Sequence, residues 1–306
     1  MRKFYMATIL VILLLIVGGI ALWKPTAPTT TLPVQKTEQP EHNEQNNSNA
    51  DATNEEAANT DTENNTDNST ETLTDHLASM ITESIQKAIG MFSSQETHVT
   101  AIGDSLTQGV GDETGLGGYV GILERTTNPE DSTYTVTFDN FGKRGNRSDQ
   151  LLKRLEQEDI QASIADADIV LITIGANDVM QVVKQNITNL TIEPFNKARR
   201  DYRQRLNQII SKIITINSDV DVYLLGFYNP FEQYFDDVKE LETIIADWNE
   251  TLRQVTLKFD STTFIPINDL FSASNEDLFA DDHFHPNYRG YKRMADRVLE
   301  YTGQKR

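Results

Sequence analysis

The chain has no cysteine among its 306 residues, only two tryptophans and nine prolines, and 27 basic side chains against 46 acidic ones. Without a thiol there is no disulfide framework, no lipid-modified cysteine anchor and no thiol catalysis, so any folded region is held by its apolar core alone. The shortage of cations leaves a formal net charge of −19. That balance argues against a nucleic-acid partner, because phosphate backbones are bound on basic faces. Long apolar runs are missing too, with one exception: no charged residue occurs from Tyr5 to Trp23.

This exception lies directly behind Met1-Arg2-Lys3. Roughly 18 or more uncharged apolar residues are enough to span a bilayer, and a basic flank tends to stay in the cytoplasm. Residues 1–24 are therefore expected to be a signal anchor that leaves the rest of the chain outside the cell. A cleaved signal peptide, giving a secreted protein, is the alternative; the apolar run is long for that role and the small-residue cleavage pattern is poor. Residues 25–74 are Thr-, Asn- and Glu-rich with almost no large apolar side chain. Between 25 and 75, eleven carboxylates face one lysine. Such a stretch has too little to bury to offset its ordering entropy, so it reads as a disordered, self-repelling acidic linker. Residues 75–96 contain an amphipathic pattern, with Leu77, Met80, Ile81, Ile85, Ala88, Ile89 and Phe92 at three- and four-residue spacing. A helix docked on the following domain is expected there, with a lid or membrane-surface helix as the alternative.

From 97 to 306 strand-like and helix-like segments alternate. Strands are expected at His98–Gly103, Tyr134–Asn140, Ile169–Ile174, Val220–Gly226 and Thr263–Ile267. Helical patterns fall near Gly118–Arg125, Ser148–Glu156, Asn196–Ile216, Glu240–Leu257 and Asn287–Tyr301. This alternation predicts an α/β domain: a three-layer α/β/α sandwich around a five-stranded parallel sheet. In such sheets ligands bind beyond the carboxyl ends of the strands.

Four short blocks lie just past predicted strands or before the last helix: Gly103-Asp104-Ser105-Leu106, Asn140-Phe141-Gly142-Lys143-Arg144-Gly145, Gly175-Ala176-Asn177-Asp178, and Asp282-His283-Phe284-His285. Each alone has a structural explanation: a helix cap at Ser105, a glycine turn followed by a cap at Ser148, and a buried turn amide at Asn177. Together they supply a serine, an imidazole to take its proton, a carboxylate to orient the imidazole, and an amide for developing negative charge. Of the five histidines, His42 and His76 are poorly placed and His98 starts the strand that ends at Ser105. That leaves His283 and His285. Asp282 lies three residues before His285, within reach of one tight turn, and His283 is expected to point elsewhere.

In this order the blocks resemble the GDSL or SGNH hydrolase superfamily, named for its Ser, Gly, Asn and His. The resemblance covers about 97–303 and implies the flavodoxin-like fold of that superfamily. It implies Ser105 as nucleophile, His285 as base, Asp282 as orienting acid, and Ser105, Gly145 and Asn177 as oxyanion-hole donors. Gly226-Phe227-Tyr228-Asn229-Pro230 and the anchored layout look like its extracellular members from Gram-positive bacteria. The implied activity is carboxylic ester hydrolysis, as in lipases, lysophospholipases and carbohydrate acetylesterases. Its substrate would be a small-molecule or lipid ester or an acylated envelope polymer, with no metal or cofactor required.

Other readings stay open. Asp281, Asp282, His283 and His285 form a metal-ligand cluster in composition but lack a second ligand group. A surface-tethered binding module on a degenerate hydrolase fold has no reason to retain all five signature residues. An α/β-hydrolase would show a Gly-x-Ser-x-Gly elbow, absent here. Gly109, Gly111, Gly115, Gly117 and Gly118 lack phosphate-loop spacing and suggest a mobile loop at the site mouth. Lys143, Arg144 and Arg147 are either solvated loop charges or an attraction for an anionic substrate such as a phospholipid head group. Tyr228, Asn229 and Phe231 either line a substrate pocket or pack. Asp104 reads as an acceptor that stabilises its turn.

Overall fold

In the computed structural model of the chain the described residues are 79, 81–83, 85–90, 96–130, 135–186, 191–230, 239–272 and 276–304. The expected anchor at 1–24 and linker at 25–74 lie outside them. Five parallel strands, β1 (Thr97–Gly103), β2 (Val136–Gly142), β3 (Ile169–Thr173), β4 (Asp221–Leu225) and β5 (Thr262–Ile265), form one sheet in the order β2-β1-β3-β4-β5. The first two crossovers run to opposite sides of β1. The direction of winding therefore reverses between β1 and β3, and the carboxyl ends of those two strands flank a crevice.

The helices are α1 (Ser105–Gln108), α2 (Gly118–Thr127), α3 (Ser148–Arg154), α4 (Glu158–Asp166), α5 (Ala176–Gln185), α6 (Ile192–Ile216), α7 (Lys239–Thr256), α8 (Asp269–Ser272) and α9 (Tyr288–Gln304). Alternation along each strand divides the buried side chains between two faces. Val99, Ala101, Leu171, Tyr223, Leu225 and Ile265 join one core with α2 and α9, and Ala88 of the helical stretch at 85–90 is buried in that same core. On the other face, Thr100 hydrogen-bonds Ser163 of α4 at 2.6 Å. There α6 packs against α3, α4, α5 and α7. Its Phe195, Tyr202, Leu206, Ile209, Ile210 and Ile213 recur at helical spacing and are all buried. The result is the three-layer sandwich expected.

Strand boundaries shift by one or two residues from the sequence reading. Helices depart further. Four elements absent from that reading, the one-turn helices α1 and α8 and the longer α4 and α5, are present, and α6 starts at Ile192 instead of Asn196. Pro194 falls in the first turn of α6, where a missing N–H forfeits no intrahelical bond, so the helix runs through it.

Tyr202 and Trp248 stack across α6 and α7 with ring centroids 4.8 Å apart, and Trp248 is 1% exposed. Trp248→Ala is predicted to cost about 3–5 kcal/mol, mainly as cavity. Urea denaturation followed by circular dichroism measures it; a loss below about 1 kcal/mol would show that this face is not closely packed.

Candidate active site

Ser105 opens α1 immediately after β1 and is buried, 5% exposed. Asp104 caps that helix: its Oδ1 accepts from the Leu106 amide at 3.0 Å and from the Thr173 hydroxyl at 2.8 Å. The Asp104 amide in turn donates to the Thr173 carbonyl at 3.1 Å. Thr107 continues the network, 2.7 Å from the Thr173 hydroxyl and 3.2 Å from that of Tyr119. The turn that carries Ser105 is thus fastened to the end of β3. The amide of Ser105 lies in the first turn of a helix, where N–H groups have no intrahelical acceptor.

The C-terminal block folds into a tight turn. Asp282 Oδ1 accepts from the amides of Phe284 and His285 at 3.0 and 2.9 Å, leaving Oδ2 to meet His285 Nδ1 at 2.6 Å. His283 adopts φ 52°, in the left-handed region, and is exposed. His285 Nε2 lies 2.9 Å from Ser105 Oγ, joining residues 180 apart in sequence. With Nδ1–H donating to the carboxylate, Nε2 carries the lone pair and the serine hydroxyl donates to it. Burial opposes ionisation of Asp282, but the hydrogen bonds and proximity of His285, with the two turn amides, hold its carboxyl down at about 2. Gly111 completes the turn's support at φ +96°: a Cβ there would fall 2.7 Å from the Pro286 carbonyl and 2.8 Å from His285 Cβ. The glycine-rich loop is therefore a fitted wall behind the imidazole. Asp112 secures it, accepting from the amides of Thr114 and Gly118 at 3.0 and 2.9 Å.

Asn177 sits in the first turn of α5. It lines an apolar cleft with Ser105, Leu106, Met180, Phe227 and Phe284. Its amide nitrogen donates one hydrogen to the Asn146 carbonyl at 3.1 Å, which fixes the amide plane and leaves the second hydrogen directed by it. Gly145 stands at φ +77° with nothing within 4 Å of where a Cβ would be. It lines a neighbouring cavity instead of the apolar cleft.

The structure thus brings Ser105, His285 and Asp282 into direct contact, places Asn177 beside Ser105, and sets Gly145 one residue from the carbonyl that orients Asn177. Tyr228 lines the cleft while its hydroxyl donates to the Phe284 carbonyl at 2.8 Å. Asn229 is buried, and Phe231 lies outside the described residues. His98 is at the far end of β1, 3.0 Å from Asp139. Among the described residues no three His, Asp or Glu side chains converge as a metal site, and no helix is long and apolar enough to cross a membrane.

Sequence reasoning gave no part to Asp178 or Arg205 and treated Ser148 as a helix cap. Ser148 is instead the first residue of α3, and its amide and hydroxyl both donate to buried Asp178, at 2.9 and 2.6 Å. Arg205 of α6 reaches the Ser148 hydroxyl at 2.7 Å and Asp178 at 3.1 Å. This cluster locks the start of α3 to that of α5, the two helices that follow Gly145 and carry Asn177. Adjacency of Asp178 to Asn177 was the one available signal.

A parallel sheet with switch-point order, a helix-opening serine and an imidazole–carboxylate pair at its mouth have the layout of a serine hydrolase of the SGNH type. Residues 101–293 match the GDSL-like Lipase/Acylhydrolase family, and the chain belongs to that family. The chain is 36% identical over 221 residues to the uncharacterized protein YpmR of Bacillus subtilis strain 168, covering 72% of this chain and 86% of that protein. It is 28% identical to the spore germination lipase LipC of Bacillus licheniformis, over 65% of this chain and 93% of LipC. Among solved structures, the lipase Lip_vut3 from a goat rumen metagenome superposes with a TM-score of 0.59 at 26% identity, covering 66% of this chain and 95% of that one.

Burial drives the Asp104 carboxyl from its ordinary 3.8 up to about 7, against the hydrogen bonds from Thr173 and Leu106. Between those values the folded state keeps a proton that the unfolded state has lost, so this group lowers stability as pH rises from about 4 to about 7. Asp104→Asn keeps both accepted hydrogen bonds and is predicted to remove that part of the pH dependence. Urea midpoints at about pH 4.5 and 7.5 test it; an unchanged slope between variant and parent refutes the buried-proton account. Gly111→Val is predicted to displace His285 and lower turnover about a hundredfold, with the fold retained by circular dichroism.

Proposed function

We propose that the protein hydrolyses carboxylic esters through an acyl-enzyme on Ser105. The carrying observation is the continuous hydrogen-bond relay from Ser105 Oγ through His285 to Asp282. Ser105 attacks the ester carbonyl and passes its proton to His285 Nε2, which delivers it to the departing alcohol. Water then attacks the acyl-enzyme, gives its proton to the same nitrogen and releases the acid as the serine recovers its hydrogen. Asp282 stays ionised throughout and stabilises the imidazolium. The oxyanion is held by the Ser105 and Gly145 amides and the Asn177 side chain. The apolar cleft beside Ser105 takes the acyl group, as in a GDSL-type lipase or lysophospholipase-like esterase; the lipase LipC among the relatives supports that choice. Residues 1–24 anchor the chain with the catalytic domain outside the cell, a reading tested by protease access to intact cells.

Ser105→Ala is expected to abolish hydrolysis of chromogenic acyl esters by the full-length chain, and Asn177→Ala to reduce kcat about 10²–10³-fold without loss of fold. Near-parental turnover in Asn177→Ala removes that residue from the oxyanion hole. Asp282→Asn is expected to lose about 10⁴-fold by favouring the wrong imidazole tautomer; a loss under tenfold contradicts the relay.

A further inference from the structure

Next to the apolar cleft lies a second cavity of about 410 Å³, within the usual size of a small-ligand site. It is lined by Lys143, Arg144, Lys153 and Arg154 together with Gly145, Asn146 and two glutamines, and no carboxylate lines it. Four cations around one cavity stand against the trend of a chain with a −19 balance. Local structure accounts for part of the cluster. Lys153 and Arg154 close the last turn of α3, where positive charge suits the helix C-terminus. Arg154 also holds the Asn146 side chain at 2.7 Å and the Phe141 carbonyl at 2.8 Å. Lys143 and Arg144 have no such duty: they stand exposed in the β2–α3 loop, and among the described residues their side chains, like that of Lys153, form no hydrogen bond or ion pair. The nearby Arg147 is neutralised by Asp149 at 3.0 Å.

The cavity shares residues with the reaction site. Gly145 forms part of its wall, and the carbonyl of its Asn146 orients the Asn177 amide. The loop carrying Lys143 and Arg144 is tied to the nucleophile turn by the Lys143 amide on the Gly103 carbonyl at 3.0 Å and the Arg144 amide on the Gln108 side chain at 2.6 Å. An ester bound at Ser105 has two arms, and the apolar cleft accepts the acyl one. If the cleft takes the acyl arm as proposed above, the Gly145 side is open to the other, and there cations without an ion-pair partner among the described residues supply a point-charge and fork geometry suited to phosphate oxygens.

We propose that this basic cavity is the subsite for a phosphate group on the alcohol portion of the substrate, making the protein selective for acyl esters of phosphorylated alcohols. The proposal rests on the ester-hydrolase reading of Ser105. It also makes the phosphorylated alcohol, the first product to leave, an inhibitor of the free enzyme.

The test compares 1-butyryl-glycerol 3-phosphate with 1-butyryl-glycerol on the full-length chain. These substrates share the scissile bond and differ in the phosphate. The expected kcat/KM ratio is at least about tenfold in favour of the phosphate ester at about 0.02 M ionic strength, shrinking as salt is raised to about 0.5 M. In Lys143→Gln/Lys153→Gln the ratio is expected to fall toward one. Competitive inhibition by glycerol 3-phosphate, and not by glycerol, is expected in the parent and supplies the answer should the double variant fail to fold. Turnover of the neutral ester with a parental ratio near one overturns the anion subsite while leaving the hydrolase standing. A raised ratio that survives the double substitution overturns the assignment to this cavity. If neither ester is hydrolysed, calorimetric titration of glycerol 3-phosphate into the parent decides the cavity separately from the chemistry: binding supports an anion site and its absence overturns one.

Discussion

The site depends on one buried tether, the attachment of Asp104 to Thr173. A parallel sheet delivers strand ends to a common edge but leaves the side chains beyond them to the loops. Here the loop after β1 is held by three hydrogen bonds that converge on Asp104 and the end of β3, so the serine that follows has no independent freedom. The cost is a carboxylate in a place that favours its neutral form. That cost is tolerated because the alternative, a turn closed only by backbone groups, would place Ser105 less narrowly against an imidazole arriving from the other end of the chain.

A second cluster performs the same task for the proposed oxyanion donors. Gly145 and Asn177 belong to different crossovers, and their relative position is set by Asp178, Ser148 and Arg205, with the Asn146 carbonyl fixing the amide plane. Hydrogen bonds to charged groups inside a protein are both strong and demanding of geometry. Burial raises the Asp178 carboxyl, with Ser148 and Arg205 acting against that rise. The proposed donors are therefore positioned by Asp178, Ser148 and Arg205, none of which lines the apolar cleft.

Much of this was legible in the sequence because the signals were local. Strand identity followed from β-branched runs at β1, β3 and β4, and the Asp282–His285 pairing from a spacing that one turn can close. The helices α4 and α5 were not legible, since each begins abruptly after a strand or turn and its apolar residues do not extend the pattern that precedes it. Ser148 illustrates the other kind of miss. A serine at the start of a helix has a sufficient local explanation, and only the fold shows that its hydroxyl faces a carboxylate thirty positions away. Gly111 is similar: its requirement comes from His285, a neighbour distant in sequence.

The separation of Ser105 and His285 by 180 positions has a consequence for biosynthesis. Ser105, the proposed nucleophile, follows the first strand of the sheet, and His285, its proposed base, comes just ahead of α9. Until the ribosome has released that helix and α9 has seated against α2, the hydroxyl has no proton acceptor. On the proposed mechanism, a chain that still lacks α9 is inert toward esters, and competence begins only once that helix has seated.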